Sequence, residues 1–404
     1  MKLAILSDFH LGYERFAEDA FEQAQAAVLL ASEKADALLL PGDLFDSRIP
    51  KPETISQAFS IFRGLAGKEW GARVTEFKAR DGRGCVCAAP IIAIHGTHEM
   101  RPKGLTNPIA LLEAGGFLIN AQSATVIIEK GEEKVAISGL GGVPERHAKD
   151  ALEALAPQPV PGALNIFMFH QSISDFIPAR GELLGTEDLP RGFDLYVCGH
   201  VHHSAQATCM GKPLIIPGST VVTQLKEDEA AEKGFIIFDT KTGGSEFVGI
   251  GSRPFIFREL EFDSASPEEV ERAARAEIEK ILSQGFQKPP IIRLRLKGSM
   301  RKGFSASDAS IARIPDSYSP RAFVSIDKSL GSGELKDRVE RLRSPREGGS
   351  SVRELGLELL REKMKSAGLP RGWDAAYLLE LFSKGKKEAA QEALVELLRE
   401  QASS

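Results

Sequence analysis

The sequence has few cysteines and no long apolar run at its start, and these absences exclude several classes of protein. Its four cysteines are Cys85, Cys87, Cys198 and Cys209. Their number and spacing fit neither a dense disulfide framework nor a paired Cys-x-x-Cys zinc site. The first apolar stretch, residues 3–6, ends before Asp8 and is too short for a signal peptide or a membrane span. We therefore expect a cytoplasmic protein with reduced thiols and no membrane segment.

A strong excess of one charge is also missing. The chain has 51 Lys and Arg against 56 Asp and Glu, a net charge of −5, which is not the basic surplus typical of nucleic-acid-binding proteins. Nucleic acid stays open as a ligand, because bound metal would neutralise several acidic residues. With 404 residues, 42% of them hydrophobic, the composition indicates a globular protein of two or three units.

The chain does contain histidines, and they are clustered. Seven of the eight lie in or beside segments that follow short apolar runs at residues 3–6, 37–40, 91–94, 166–169 and 195–197. The polar groups after these runs are Asp8-Phe9-His10, Gly42-Asp43, Gly96-Thr97-His98-Glu99, His170 and Gly199-His200-Val201-His202. Each run is typical of a strand buried on both faces. We expect the five strand ends to converge on one edge of a sheet.

Asp and His at such an edge suit a shared metal centre, because carboxylate and imidazole bind divalent first-row ions and a sheet holds them rigidly. Two metals that share a carboxylate can promote in-line attack on a phosphate ester. Asp-x-His and His-x-His place both ligands on one side, since alternate residues point the same way. We expect Asp43 to bridge the metals. One metal would take Asp8, His10 and His202, and the other His170 and His200.

Residues 1–250 alternate strand-like and helix-like segments, which indicates a layered α/β sandwich. The predicted helices span residues 17–35, 53–66 and 108–114, and further strands are expected at 134–139, 213–216 and 235–239. Residues 68–89 lack clear periodicity, so we interpret them as an excursion between a helix and the next strand.

A second unit begins near residue 253. Its pattern is a strand at 255–262, a helix from 267 to about 283 and an alternating strand at 292–296. Ser266 and Glu269 have the spacing of a helix capping box. After connectors within 331–351, amphipathic helices are expected at 352–366, 374–382 and 386–399. Their apolar stripes indicate a docking module for another protein.

In this order, the five motifs resemble those of the calcineurin-like metallophosphoesterase superfamily over about the first 220 residues. Within it the chain looks most similar to the Mre-eleven/SbcD family of DNA double-strand-break repair nucleases, on residues 7–12 and 42–46. The resemblance implies a four-layer α/β/β/α sandwich at 1–250 and a small α+β capping domain that binds DNA at 253–330. A flexible linker at 331–351 and a helical tail at 352–404 would follow. In the family that tail binds an SMC-like ATPase, Rad-fifty.

The resemblance also implies roles for single residues. The matching ligands of two manganese ions are Asp8, His10, Asp43, His170, His200 and His202. His98 matches the histidine that contacts the scissile phosphate and serves the leaving group as an acid. Thr97 replaces an asparagine ligand, so we expect looser binding of the second metal. Asp46 stands where many members have histidine, a tolerated variation. His95 and His203 match no family role, and we interpret them as groups that orient ligands.

The implied function is a manganese-dependent nuclease with 3′-to-5′ double-strand exonuclease and single-strand endonuclease activities. It would process DNA double-strand breaks together with the ATPase. The predicted helices at 53–66 and 108–114 would form a four-helix homodimer interface. Two alternatives remain: a two-metal phosphoesterase acting on small nucleotides or phosphoproteins, and a weakly catalytic DNA-end scaffold. The ligand set itself admits manganese, iron or zinc.

Overall fold

The computed structural model describes residues 1–331 apart from 86, 103, 177–182 and 306, together with residues 357 and 361. The chain divides into two compact units. The first comprises residues 1–259, 275–295 and 312–327. The second comprises residues 260–274, 296–311 and the described residues from 328 onward. The predicted linker and tail helices lie outside the described residues, except for 331, 357 and 361.

In the described part of the chain, sixteen strands form three sheets. In chain order they are β1 (Lys2–Ile5), β2 (Ala37–Leu40), β3 (Arg73–Ala79), β4 (Ile91–Ala93), β5 (Ile119–Asn120), β6 (Ala124–Lys130), β7 (Glu133–Leu140), β8 (Leu164–Phe169), β9 (Leu195–Cys198), β10 (Ala205–Cys209), β11 (Lys212–Ile216), β12 (Gly234–Asp239), β13 (Ser245–Gly249), β14 (Phe255–Ala265), β15 (Ile291–Met300) and β16 (Phe323–Gly331). The sheet orders are β13-β12-β1-β2-β4-β5, β10-β11-β9-β8-β7-β6-β3 and β14-β15-β16.

Six α-helices accompany the sheets within the described residues up to 331. They are α1 (Ala17–Lys34), α2 (Pro52–Arg63), α3 (Pro108–Ala114), α4 (Ala148–Leu155), α5 (Pro267–Leu282) and α6 (Ile314–Tyr318). The predicted helix at 108–114 is confirmed, and its cap is Asn107, whose side chain accepts a hydrogen bond from the backbone N–H of Ala110. No helix in the described part of the chain is long and apolar enough to cross a membrane.

The two large sheets pack face to face, and helices cover their outer sides. Leu3 and Ile5 of β1 lie in the apolar core between the sheets, together with residues of β8 and β9 such as Ile166 and Val197. Ala4, from the other face of β1, belongs to the core under α1, α2 and α3. A third core lies between the second sheet and α4. This is the predicted four-layer α/β/β/α sandwich, and burial on both faces explains the unbroken apolar runs.

One part of the prediction was wrong. Residues 73–79, inside the stretch expected to be an irregular excursion, form β3, which pairs antiparallel with β6 at the edge of the second sheet. Every residue of β3 is exposed or half-buried. An edge strand with so little burial has no alternating apolar pattern to mark it, which is why the sequence reading missed it.

The segment after residue 253 contains the expected strand, helix and strand as β14, α5 and β15. The capping box is present: Ser266 N–H donates to Glu269 Oε2 at 2.7 Å, and Glu269 N–H donates to Ser266 Oγ at 3.3 Å. The assignment of residues 253–330 to a DNA-binding capping domain stays a prediction.

Candidate metal centre

The predicted ligands follow strands of two sheets, so the expectation of a single sheet edge was wrong. Asp8 and His10 follow β1, Asp43 follows β2, and Thr97 with His98 follows β4, all in the first sheet. His170 follows β8, while His200 and His202 follow β9, both in the second sheet. Strands of both sheets are buried and apolar, so composition does not reveal which sheet a strand joins. The carboxyl ends of the ligand-bearing strands of the two sheets nevertheless meet.

Asp8, His10 and His202, here called the first ligand group, hold their ligand atoms within 4.8 Å of one another. The two Nε2 atoms of His10 and His202 are 3.2 Å apart. Asp8 Oδ1 lies 3.9 Å from His10 Nε2 and 3.7 Å from His202 Nε2. Asp8 and His10 are fully buried. The three residues form a compact, enclosed set of oxygen and nitrogen donors.

Asp43, His170 and His200, the second ligand group, are gathered in the same way. Asp43 Oδ2 lies 3.1 Å from His170 Nε2, and both residues are buried. The groups adjoin each other, because the backbone N–H of His200 donates to Asp8 Oδ2 at 3.1 Å. The six predicted ligands therefore occupy two neighbouring clusters with the membership expected from the sequence.

The oxygen and nitrogen atoms that the first ligand group could offer to a metal suit a cation. His10 Nδ1 lies 3.0 Å from the carboxylate of Asp46 and therefore carries a proton, so the neutral ring has its electron pair on Nε2. Asp8 Oδ1 is buried with no hydrogen-bond partner among the described residues. A buried carboxylate oxygen without a hydrogen-bond donor is costly. A divalent metal would interact favourably with this oxygen and with the histidine nitrogens beside it.

The electrostatics of the centre favour positive charge. Burial is the largest influence on the pKa of His170 and lowers it, but the charge and hydrogen bond of Asp43, the charge of Asp8 and the Pro41 carbonyl together raise that pKa to about 9. Burial also lowers the pKa of His10. Its hydrogen bond to Asp46 and the charges of nearby carboxylates outweigh burial, so that pKa is raised overall. Burial and the charge of His170 lower the pKa of His200 to about 3. His200 is thus neutral, the form that binds metal.

Several of these residues have strained backbones. Asp8, His10, Asp43 and His200 have φ values of 54°, 47°, 51° and 76°, in the left-handed region that non-glycine residues rarely adopt. Such strain persists only where the surroundings impose it, and it concentrates at functional sites. Gly42 has a φ of 99°, and a Cβ there would lie 2.5 Å from His170 Nδ1. The loop at Gly42 therefore packs closely against the side chain of His170.

Thr97 and His98 lie beside the second ligand group. The Thr97 hydroxyl donates to Asp43 Oδ2 at 3.4 Å, and the His98 backbone N–H donates to Asp43 Oδ1 at 2.9 Å. The His98 side chain is 45% exposed, and its Nδ1 donates to the carbonyl of Asp46 at 3.0 Å. His98 is thus the accessible histidine at the rim, and its Nε2 is left for a ligand.

Sequence reasoning missed the groups that hold the ligands. Asp46 contacts His10 Nδ1, Pro41 accepts from His170 Nδ1 at 2.7 Å, and Thr223 Oγ1 lies 2.7 Å from His202 Nδ1. By contrast, His95 Nδ1 contacts the carbonyl of Gly96, and His203 pairs with Asp228. Neither contact is with a predicted metal ligand. Of the true partners, only Asp46 lay within a recognised motif.

Glu99 was another missed residue, although it directly follows His98. Its buried carboxyl accepts hydrogen bonds from the backbone N–H groups of Gly96 at 2.7 Å, Phe45 at 2.9 Å and Asp43 at 3.2 Å. Burial and the charge of Asp43 raise the pKa of Glu99 to about 8. Glu99 thus ties the loop after β4 to the loop after β2. Its position in the Gly-Thr-His-Glu motif was the available signal.

Comparison with known proteins agrees with this geometry. A family model described as calcineurin-like phosphoesterase matches residues 1–204. The DNA double-strand break repair protein Mre11 of Methanopyrus kandleri is 27% identical over 70% of this chain and 65% of its own length. Double-strand break repair proteins of Caenorhabditis elegans and Homo sapiens are also 27% identical, over 66% and 57% of this chain and 43% and 38% of their own lengths.

The chain therefore spans less than two thirds of the length of these curated relatives. The family model covers half of the chain, including Asp8, His10, Asp43, His98, His170, His200 and His202. By sequence, by fold and by the arrangement of its ligand-bearing loops, the chain belongs to the calcineurin-like phosphoesterase family.

Proposed function

We propose that the chain is a manganese-dependent DNA nuclease that processes double-strand breaks. Its activities would be 3′-to-5′ exonuclease cleavage of duplex ends and endonuclease cleavage of single strands. The observation that carries the proposal is the pair of adjoining ligand groups, in a chain whose relatives are double-strand break repair proteins. Oxygen and imidazole donors together suit manganese.

A pair of divalent metals, when bound, supplies Lewis acidity and an activated water for attack on a phosphodiester. The first ligand group would hold one metal and the second ligand group the other, with Asp43 contributing to both. The residues themselves provide rigidity: their rings and carboxylates are held by Asp46, Pro41 and backbone N–H groups. Preorganised ligands of this kind spare the protein a reorganisation cost during the reaction.

His98 would act as the general acid. Its Nδ1 donates to the Asp46 carbonyl, so the doubly protonated ring would give the proton for the leaving oxygen from Nε2 and become neutral. The exposed position of the ring allows contact with a substrate. General acids of this type contribute roughly 10²- to 10⁴-fold to the rate.

A groove beside the centre supports a polymeric substrate. It has a volume of about 500 Å³, and its lining includes Asp46, the residue that contacts both His10 and His98. Exposed Arg15 and Lys51 lie on its wall together with Glu14, which pairs with Lys51 at 3.3 Å. A cationic side chain such as Arg15 near a phosphodiesterase site attracts the nucleic-acid backbone without regard to sequence.

The proposal includes two partners. One is a second copy of the chain, which would pack through α2 and α3, where Leu111 is 37% exposed. The other is an SMC-like Rad-fifty ATPase, which would bind the helical tail. Apart from residues 357 and 361, that tail lies outside the described residues, so its role depends on the sequence alone.

The test compares substrates under manganese. End-labelled duplex DNA and a cyclic nucleotide are incubated with the purified chain, and initial rates are measured with and without Mn²⁺. We expect Mn²⁺-dependent DNA cleavage to exceed cyclic-nucleotide hydrolysis. His98→Ala should lower kcat on DNA by roughly 10²-fold or more without changing Mn²⁺ affinity. The control is His147→Ala, an exposed histidine outside the centre.

Three outcomes separate the alternatives. A preference for the cyclic nucleotide would assign the centre to small nucleotides. Binding of DNA ends without cleavage would assign the chain to a scaffold role. Equal kcat values for His98→Ala and His147→Ala would remove His98 from the mechanism.

A further inference from the structure

The ring of His202 is attached to a chain of buried polar groups. Its Nδ1 lies 2.7 Å from the Thr223 hydroxyl, which in turn lies 3.4 Å from Glu229 Oε1. Glu229 also accepts from the backbone N–H groups of Gln224 at 2.6 Å and Thr223 at 3.1 Å. Thr223 and Glu229 are both buried. Glu229 Oε1 also lies 3.4 Å from His202 Nδ1 itself. The loop after β11 therefore presents a carboxylate to a candidate ligand both directly and through one hydroxyl.

Lys233 completes this buried set. Its ammonium lies 3.8 Å from Glu229 Oε1 and donates to the carbonyl of His202 and to Ser219 Oγ, each at 3.0 Å. The Lys233 side chain is only 4% exposed. A buried charge needs a partner of opposite sign and further hydrogen bonds, and this lysine has both. It thus fixes the backbone of His202 while Glu229 fixes the ring.

The direction of the hydrogen bonds follows from the chemistry. For His202 Nε2 to offer its electron pair to a metal, Nδ1 must carry the proton. It would then donate mainly to Thr223 Oγ1 at 2.7 Å, with Glu229 Oε1 as a second acceptor at 3.4 Å. The Thr223 hydroxyl hydrogen is then free to point at the carboxylate of Glu229. A carboxylate behind a histidine in this way selects the ring tautomer and raises the basicity of the ligating nitrogen.

The two ligand groups differ in this support. In the first, the Asp46 carboxylate contacts His10, and the Glu229 carboxylate contacts His202 both directly and through Thr223. In the second, His170 is backed by the neutral carbonyl of Pro41. The negative charges that strengthen imidazole ligands therefore lie behind the first group.

We propose that Thr223, Glu229 and Lys233 are positioning residues that make the first ligand group the tighter of two metal sites. They act through the ring and backbone of His202 and touch no substrate. The inference depends on the proposed metal centre, and it assigns the difference in affinity to residues outside the phosphoesterase motifs.

The test is a calorimetric titration of the metal-free full chain with Mn²⁺, which resolves two affinities in the wild type. Thr223→Val removes the hydroxyl and keeps the shape, while Thr223→Ser keeps the hydroxyl. Thr223→Val and Glu229→Gln should weaken the tighter site by roughly 10- to 100-fold and leave the weaker site unchanged. Thr223→Ser and the control Glu227→Gln, an exposed neighbour on the same turn, should match the wild type.

The readings are distinguishable from one another and from a general loss of structure. Unchanged affinities in Thr223→Val, or equal weakening of both sites, would overturn the inference, as would weakening of the looser site alone. If Glu229→Gln does not fold, the two Thr223 variants carry the test, since they differ by little in shape. A wild type that binds no Mn²⁺ would instead contradict the proposed function.

Discussion

Among single residues, the centre is marked by buried polar atoms that converge on a small space. Asp8 Oδ1 has no hydrogen-bond partner among the described residues, and the Nε2 atoms of His10 and His202 face each other at 3.2 Å. Thr97 differs from these ligands. Its hydroxyl already donates to Asp43, and a hydroxyl is a weaker metal ligand than an amide carbonyl on a longer side chain. This hydrogen bond gives a structural reason to expect weaker binding of the second metal.

Thr97→Asn should tighten the weaker of the two Mn²⁺ sites, because the amide carbonyl reaches further than the hydroxyl. We expect roughly a tenfold gain in affinity, or about 1.4 kcal/mol, in a calorimetric titration. Thr97→Ser is the matched control and should resemble the wild type. A Thr97→Asn protein with unchanged or weaker Mn²⁺ binding would show that residue 97 does not ligate.

At the scale of elements, the sequence reading succeeded where burial leaves a local pattern. The strands that carry the ligands are apolar on both faces, so β1, β2, β4, β8 and β9 were all predicted within two residues at each end. Their distribution over two sheets was not predictable, because it depends on how the chain crosses between layers. The exposed edge strand β3 left no pattern either. The partners of His202 were missed because they come from a loop more than twenty residues further along the chain.

Glycines in the ligand-bearing loops affect both the backbone conformation of those loops and the packing around the metal centre. Gly42→Ala should destabilise the fold through its positive φ, about 1–2 kcal/mol, and through overpacking against His170, about 1–3 kcal/mol more. It should also weaken Mn²⁺ binding, since His170 must move. Thermal unfolding and Mn²⁺ titration measure both effects.

Gly116→Ala is the control for this prediction. Gly116 also has a positive φ, 73°, but a Cβ there meets nothing within 4 Å. The Gly116→Ala protein should be less stable than the wild type and should keep the wild-type Mn²⁺ affinity. If Gly42→Ala and Gly116→Ala bind Mn²⁺ equally well, the close packing around His170 does not matter for the centre.

At the scale of the whole molecule, the sandwich brings ligands from distant parts of the chain together and leaves α2 and α3 on its outer side. Most apolar residues of these helices, such as Phe62 and Leu112, pack into the core, which is their ordinary structural role. Leu111 is exposed, and Phe59 is only partly buried against Phe117, with ring centroids 4.9 Å apart. This surface is the one that the proposed homodimer would cover.

Leu111→Glu should convert the proposed dimer into a monomer, because a charge would be buried at the interface. Sedimentation velocity over a range of concentrations measures the change. Met210→Glu, which alters another exposed apolar residue (40% exposed), should leave the dimer intact. A wild-type chain that sediments as a monomer at every concentration would rule out the dimer.

A crystal structure of the full chain grown with Mn²⁺, with anomalous scattering recorded above and below the manganese edge, would locate the metals themselves. We expect two manganese peaks, one coordinated by Asp8, His10 and His202 and one by Asp43, His170 and His200. The same map would show whether Thr97 or a water completes the second site. A single peak, or peaks away from these six residues, would contradict the two-metal centre.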